Sequence, residues 1–130
     1  IFNYYEISDM MNVSWDQNNY LILTLKGFFG VILPFTNKLK IPYSTIDQVL
    51  TKEVKIDKTK TIKFVGISIA NRNIGIFYVV GKGKVFYAFC RKNRCITLKL
   101  NDDFKYKEVI VEVENKQRIA DEIIRRIQRK

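Results

Sequence analysis

The C-terminal part of the sequence limits the fold more than any other stretch. Apolar and charged residues alternate along residues 108–114, which predicts a strand with its valines on one face. Asn115 follows as a predicted N-cap, because its side chain can accept hydrogen bonds from the free amides of a first helical turn. Apolar residues then recur at helical spacing, namely Ile119, Ala120, Ile123, Ile124 and Ile127. We therefore predict a strand and then an amphipathic helix whose apolar stripe forms part of the core.

Short strands separated by turns are predicted along the rest of the chain. Pro42 is predicted to mark the start of a strand, and the irregular apolar spacing near Asp47 predicts a bulge or a short helical turn there. Residues 17–19, 57–59, 71–73 and 101–103 are predicted turns, and residues 27–34 fit a strand followed by an irregular crossing. The predicted strands before the last one are residues 4–8, 12–16, 20–26, 45–56, 61–69, 76–80, 84–90 and 96–100. This pattern, in one domain of 130 residues, predicts an antiparallel barrel or sandwich.

Two hairpins are predicted in the second half of the chain, the first across residues 81–83 and the second across residues 91–94. The Gly-Lys-Gly-Lys sequence at 81–84 could also hold a phosphate, but a hairpin turn is the better interpretation. In the second hairpin Cys90 is predicted to face Cys95, within the distance that a disulfide needs. The two cysteines could form a disulfide or a redox pair, or they could stay free thiols. The inner face of that hairpin is predicted to hold Val85, Tyr87, Phe89, Ile96, Leu98 and Leu100.

The residue types argue against catalysis. The sequence has no histidine and two cysteines, which removes the usual general base and the usual zinc ligands. The carboxylates at Asp102 and Asp103 lie in a turn, and those of Glu108, Glu112 and Glu114 form a row on a strand face predicted to point outward. We therefore expect a non-enzymatic protein with no catalytic residue, no metal and no cofactor.

Basic residues are concentrated in the middle of the chain. The net charge is +10, and residues 36–99 hold 14 basic and 3 acidic residues, a local net charge of +11. This excess favours a protein partner or an anionic membrane surface, with ordinary solvated lysines as the alternative. A nucleic acid is the other candidate partner, with Phe86 beside Lys99 as the best stacking position. The candidate contacts for an anion or partner are Lys52, Lys55, Lys58, Lys60, Arg91, Lys92 and Arg94. Lys82 and Lys84 are predicted to lie at the opposite end of the sheet from residues 91–94.

Four short motifs resemble those of bacterial pleckstrin-homology-like (PH-like) domains. They are Tyr-Tyr-Glu-Ile-Ser-Asp at 4–9, Lys-Ile-Pro-Tyr-Ser-Thr-Ile at 40–46 with Val49, Gly-Ile-Phe at 75–77, and Val-Ile-Val-Glu-Val at 109–113 running into the helix. The resemblance implies a mainly β fold, a partly open antiparallel β-barrel of about seven to nine strands capped by one C-terminal α-helix. The basic first hairpin of the phosphoinositide-binding relatives has no counterpart, because residues 16–19 read Asp-Gln-Asn-Asn.

Members of this family are often joined to membrane segments, and many have no assigned ligand. The resemblance therefore implies a PH-like interaction module that is membrane-proximal or binds protein. We expect residues 1–130 to be a single domain excised from a longer protein. Its expected location is the cytoplasm, at the membrane face through a segment outside this chain.

Overall fold

The computed structural model describes residues 3–6, 11–16, 19–25, 38–69 and 72–128. The protein is mainly β, as predicted, and the described residues form ten strands, two short 3-10 turns and one α-helix. In chain order these are β1 (Asn3–Glu6), β2 (Met11–Asp16), β3 (Tyr20–Leu25), β4 (Lys38–Pro42), a 3-10 turn (Tyr43–Thr45), β5 (Ile46–Leu50), β6 (Thr61–Ile69), β7 (Arg72–Val79), β8 (Gly83–Phe89), a second 3-10 turn (Lys92–Arg94), β9 (Cys95–Leu100), β10 (Glu108–Glu112) and α1 (Lys116–Ile127).

The strands form two sheets. The smaller sheet is an antiparallel meander in the order β1-β2-β3-β4, and the larger sheet has the order β5-β9-β10-β8-β7-β6. Among the described residues no ladder joins the two sheets, so the barrel is partly open, as predicted. The pairing of β10 with β8 is parallel, and the other pairs are antiparallel.

The main core lies between the two sheets and under the helix. The smaller sheet contributes alternate residues of its strands, such as Val13 and Trp15 of β2, which are fully buried. Ile119, Ala120 and Ile123 of α1 pack into the same core. Burial of each large apolar side chain stabilises the fold by at most about 1.5–3 kcal/mol. The predicted helix and its role as a cover over the barrel are therefore confirmed.

Helix α1 begins and is held as its sequence predicts, except at Ile124. The Asn115 side chain accepts a hydrogen bond from the Arg118 amide at 3.3 Å, which confirms the N-cap. The Arg126 guanidinium lies 4.8 Å from the centre of the Trp15 ring, so the last turn also contacts the smaller sheet. Ile124 was predicted to be core but is 37% exposed, because the sheets cover only a narrow stripe of the helix.

The predicted hairpin between β8 and β9 is wrong. Strand β10 lies between them, parallel to β8 and antiparallel to β9. The faces of β8 are also reversed, since Phe86 and Ala88 point into the main core. Val85, Tyr87 and Phe89 instead form a second apolar cluster on the outer face of the larger sheet. Both faces of β8 are apolar, so the alternation could not identify the inner face.

Three smaller predictions also differ from the structure. Pro42 ends β4 and does not start a strand, because a 3-10 turn follows it and carries the chain to the larger sheet. Strand β5 stops at Leu50, although the predicted bulge at Asp47 is confirmed by the register shift between Ile46 and Gln48. Arg72 and Asn73 belong to β7 and not to a turn, because they pair with the end of β6. The predictions for residues 7–8, 17–18, 26–34 and 71 lie outside the described residues.

Candidate interaction surface

The segment of residues 51–57 crosses the outer face of the larger sheet. Val54 is buried in the second apolar cluster, beside Phe77 and Phe89. Its amide donates a hydrogen bond to the carbonyl oxygen of Lys92 at 3.1 Å. The ammonium group of Lys116, on the first turn of α1, donates to the carbonyl oxygen of Thr51 at 2.7 Å. These contacts bring the basic residues of the 52–63 stretch and those of the 91–94 turn side by side.

A pocket of about 300 Å³ lies where the segment of residues 51–57 meets the β6–β7 hairpin. Its floor is apolar and comes from Ile56 and Phe77, and its walls carry positive and polar side chains. We call it the basic pocket, and it is lined by Ile56, Lys58, Thr61, Lys63, Ser68, Arg72, Asn73, Phe77 and Lys92.

The basic pocket brings together some of the predicted contact residues and leaves others outside. Lys58 and Lys92 line it, whereas Lys52, Lys55, Lys60 and Arg94 are exposed elsewhere on the surface. Lys82 and Lys84 lie at the other end of β8 from residues 91–94, as predicted.

Sequence reasoning missed Arg72 as a pocket residue. The turn prediction at residues 71–73 hid it, although a nine-residue β6 needs a partner of similar length. Extending β7 backwards on that ground places Arg72 opposite Ile69, as the structure has it.

Arg91 is held by a buried carboxylate and is not a free cation. Glu112 is only 2% exposed, and its Oε1 accepts hydrogen bonds from the amides of Cys90 and Arg91 at 2.8 Å each. Its Oε2 lies 3.2 Å from Nε of Arg91. The predicted outward row of glutamates is therefore wrong at Glu112. It is wrong at Glu108 too, which is buried and pairs with Lys82 and Lys99 at 3.0 and 3.4 Å. The reason is that β10 is an inner strand of the sheet, and both of its faces are covered.

The two cysteines are free thiols in this structure. The register on which the disulfide prediction rested is wrong, because Cys95 of β9 pairs with Glu112 of β10. The Cys95 thiol donates to the carbonyl oxygen of Arg91 at 3.3 Å. Burial and the nearby carboxylate of Glu112 raise its pKa to about 12. Cys90 is half-buried.

We expect the two thiols to react at very different rates. A thiol with a pKa near 12 holds only about one part in ten thousand as thiolate at pH 8, and the thiolate is the reactive form. Titration of the native protein with Ellman's reagent should therefore label Cys90 first and Cys95 only after unfolding. Cys90→Ala should remove the fast phase. Equal rates for the two thiols, or no reaction without a reducing agent, would contradict this arrangement.

An apolar patch lies at the free edge of the larger sheet. On the core-facing side of β7, Ile74 is buried in the main core and Ile76 packs against it, but Tyr78 is exposed. The hairpin of β6 and β7 therefore extends beyond the described part of the smaller sheet. We call the exposed side chains of this extension the overhang patch, and they are Ile62, Phe64, Val65, Tyr78 and Val80.

A β-bulge widens the overhang patch. The register shifts between Lys63 and Val65, so Phe64 is an extra residue in β6. Its ring stacks on that of Tyr78, with the ring centres 6.2 Å apart. Phe64 and Val65 are 58% and 50% exposed.

Lysines border the overhang patch. Lys84 lies opposite Tyr78 in the ladder, and the carbonyl oxygen of Lys60 accepts from the Val80 amide at 2.8 Å. The nearby carboxylate of Asp57 accepts hydrogen bonds from Thr59, which lower its pKa. Phe86, the predicted stacking position for a nucleic acid, is 1% exposed and faces the main core, so it cannot stack on a base.

Asp102 and Asp103 lie in a turn, as predicted, and the carboxylate of Asp102 pairs with Lys107. Within the described ranges, no three histidine, cysteine or acidic side chains are grouped so that they could hold a metal ion. No helix in the described part of the chain is long and apolar enough to span a membrane.

Comparison with known proteins gives one family. The model of the bacterial PH domain matches residues 21–127, which include nearly all of β3 and the whole of β4 in the smaller sheet, the whole larger sheet and the helix. Neither the curated proteins nor the solved structures gave a match.

Proposed function

Because the chain belongs to the bacterial PH domain family, we propose that it is a single-domain, non-enzymatic interaction module that docks on an anionic membrane surface. PH domains are generally non-catalytic interaction modules. The observation that carries the proposal is the overhang patch with lysines at its border. We place the module at the cytoplasmic face of a membrane, where its two free thiols fit a reducing compartment.

The overhang patch has the two components of interfacial membrane binding. Ile62 and Phe64 are more than half exposed and can enter the boundary between headgroups and acyl chains without unfolding. Lys60 and Lys84 lie next to the patch, and each basic residue near an anionic bilayer contributes about 1 kcal/mol. An edge strand usually carries protective charges on its exposed face. Strand β6 instead presents apolar side chains, which favours a surface that a binding partner covers.

We expect the protein to sediment with vesicles of phosphatidylcholine and phosphatidylglycerol, and much less with phosphatidylcholine alone. The double variant Ile62→Ser/Phe64→Ser should weaken the binding about tenfold or more, because two apolar side chains no longer enter the bilayer. Ile124→Ser is the matched control, since Ile124 is an exposed apolar residue on the helix, away from the patch. It should leave vesicle binding unchanged.

Equal binding to charged and uncharged vesicles would contradict docking on an anionic surface. Unchanged binding of the double variant would contradict docking through the overhang patch. Absence of vesicle binding would contradict membrane docking and would leave a protein partner as the function of the patch. Thermal unfolding of each variant checks that the substitutions act on binding and not on folding.

A nucleic acid is the second candidate, and the stacked rings of Phe64 and Tyr78 beside Lys84 favour it. Exposed aromatic and basic side chains on one face can stack bases and hold the phosphate backbone. Fluorescence anisotropy with single-stranded DNA at about 50 mM salt tests this candidate, because such binding falls steeply with salt. No measurable affinity at that salt concentration would reject it.

A further inference from the structure

We propose that the basic pocket binds a phosphate-bearing anion, held by Lys58, Lys63, Arg72 and Lys92. This inference goes beyond membrane docking, because the pocket and the overhang patch lie on opposite faces of the β6–β7 hairpin. Lys63 pairs with Phe77, whose side chain belongs to the outer cluster, whereas Ile62 pairs with Tyr78 on the other face.

The described residues do not neutralise the charges of the pocket. Its four cations come from three separate parts of the chain, and no carboxylate is among the nine lining residues. In the part of the chain that the structure describes, none of the four forms an ion pair. Buried or half-buried carboxylates pair with cations elsewhere, as Glu108, Glu112 and Glu122 do. Four converging positive charges repel one another, and a bound polyanion would relieve that repulsion.

The remaining lining groups suit a phosphate group attached to a small carbon skeleton. The Arg72 guanidinium can give two parallel hydrogen bonds to phosphate oxygens, and the hydroxyl group of Ser68 can donate to a third. The Thr61 hydroxyl already donates to the carbonyl oxygen of Asp57 at 2.8 Å. Ile56 and Phe77 offer an apolar floor to a carbon skeleton. The volume of about 300 Å³ is at the lower end for small-molecule sites. A phosphomonoester or a pyrophosphate has the charge and size that this pocket takes, either as a lipid headgroup or as a free compound.

The pocket is also built on supported elements. Thr61, Lys63 and Ser68 lie on β6, and Arg72 and Phe77 lie on β7, which pairs with β6 along its full length. Lys92 is held near them because its carbonyl oxygen accepts from the amide of Val54, whose side chain is buried. The backbone of these pocket elements is therefore in place before a ligand arrives, which lowers the ordering cost of binding.

Titration with inorganic pyrophosphate, followed by amide chemical shifts at constant ionic strength, tests the proposal. The amides of Thr61, Ser68 and Asn73 should shift together and saturate. Arg72→Gln/Lys92→Gln should raise the apparent Kd at least about tenfold, because charged hydrogen bonds are lost. Lys84→Gln/Arg94→Gln removes the same charge outside the pocket and should raise the Kd less than about twofold. Lys58→Gln/Lys63→Gln gives a second test from other segments, and it should weaken binding as the first pair does.

Two further arms identify the source of the phosphate. Vesicles containing phosphatidic acid, which exposes a phosphomonoester, should compete with pyrophosphate if a lipid headgroup is the ligand. If they do not compete while pyrophosphate still binds, the ligand is a free phosphate compound. The variant Ile62→Ser/Phe64→Ser should keep its pyrophosphate affinity, so failure of membrane docking and failure of the pocket are separate results. Absent shifts at the pocket amides, or equal weakening in the control pair, would overturn the proposal.

Discussion

Gly75→Ala is expected to lower the free energy of unfolding by at least about 3 kcal/mol. Gly75 has a φ of 142°, and it lies opposite Gly66, which has a φ of 136°. A Cβ atom at Gly75 would lie 2.0 Å from the carbonyl oxygen of Val65. That oxygen is a backbone atom in the paired strand, so relief of the clash requires the two strands to separate. The positive φ adds a strain that alanine rarely accepts.

Urea unfolding of the wild type and the variant measures this loss. The control is Gly81→Ala, where φ is 85° but no atom lies within 4 Å of the added Cβ. It carries backbone strain without a clash and should cost only about 1–2 kcal/mol. If both variants lose the same stability, the close approach of β6 and β7 at the glycine pair has no energetic importance.

Glu112→Ala is expected to lower the free energy of unfolding by about 3 kcal/mol. The substitution removes the acceptor of two backbone amides and the carboxylate partner of Arg91. Each buried donor left without a partner costs about 1–3 kcal/mol. Glu112→Gln keeps an oxygen that can accept from the amides and loses only the charge, so about half of that loss is expected.

Hydrogen exchange shows whether the loss comes from this site. The amides of Cys90 and Arg91 should exchange faster in Glu112→Ala than in the wild type. Glu114→Ala changes the exposed glutamate two residues later and should alter stability by less than about 0.5 kcal/mol. Unchanged exchange at Cys90 and Arg91 would mean that the carboxylate does not hold the end of β8.

Local patterns in the sequence predicted the separate elements well. The helical spacing after Asn115 located α1, and the period of two located β2 and β3 almost to the residue. These elements have one apolar face or a clear cap, so short-range information defines them. The family motifs then supported the arrangement of strands closed by a helix.

The strand order of the larger sheet could not be read in the same way. Val85 and Phe86 are both buried, on opposite faces of β8. The alternation of side chains along β8 therefore could not show which face contacts the main core. Consecutive strands joined by a short loop usually pair, and this made the β8–β9 hairpin the natural prediction. Long-range packing overrides that tendency, because Val109 and Val111 of β10 are buried between the two strands.

The candidate site was predicted in its charge and not in its shape. Lys58 and Lys92 belonged to the basic groups expected to meet an anion. The two lysines lie close together because Val54 is buried on the outer face of the larger sheet. Its burial places the segment of residues 51–57 across that sheet. Arg72 and Glu112 owe their environments to strand pairing, which local composition does not encode.

The position of β10 has a consequence for the order in which the protein can fold. The last strand of the larger sheet in the sequence stands in the middle of that sheet, between β9 and β8. A nascent chain that has left the ribosome only as far as β9 therefore holds two fragments, β5 with β9 and β6 with β7 and β8. Each fragment presents an unpaired edge to the other, and only the arrival of β10 joins them. The larger sheet can therefore be completed only after the final quarter of the chain has been synthesised.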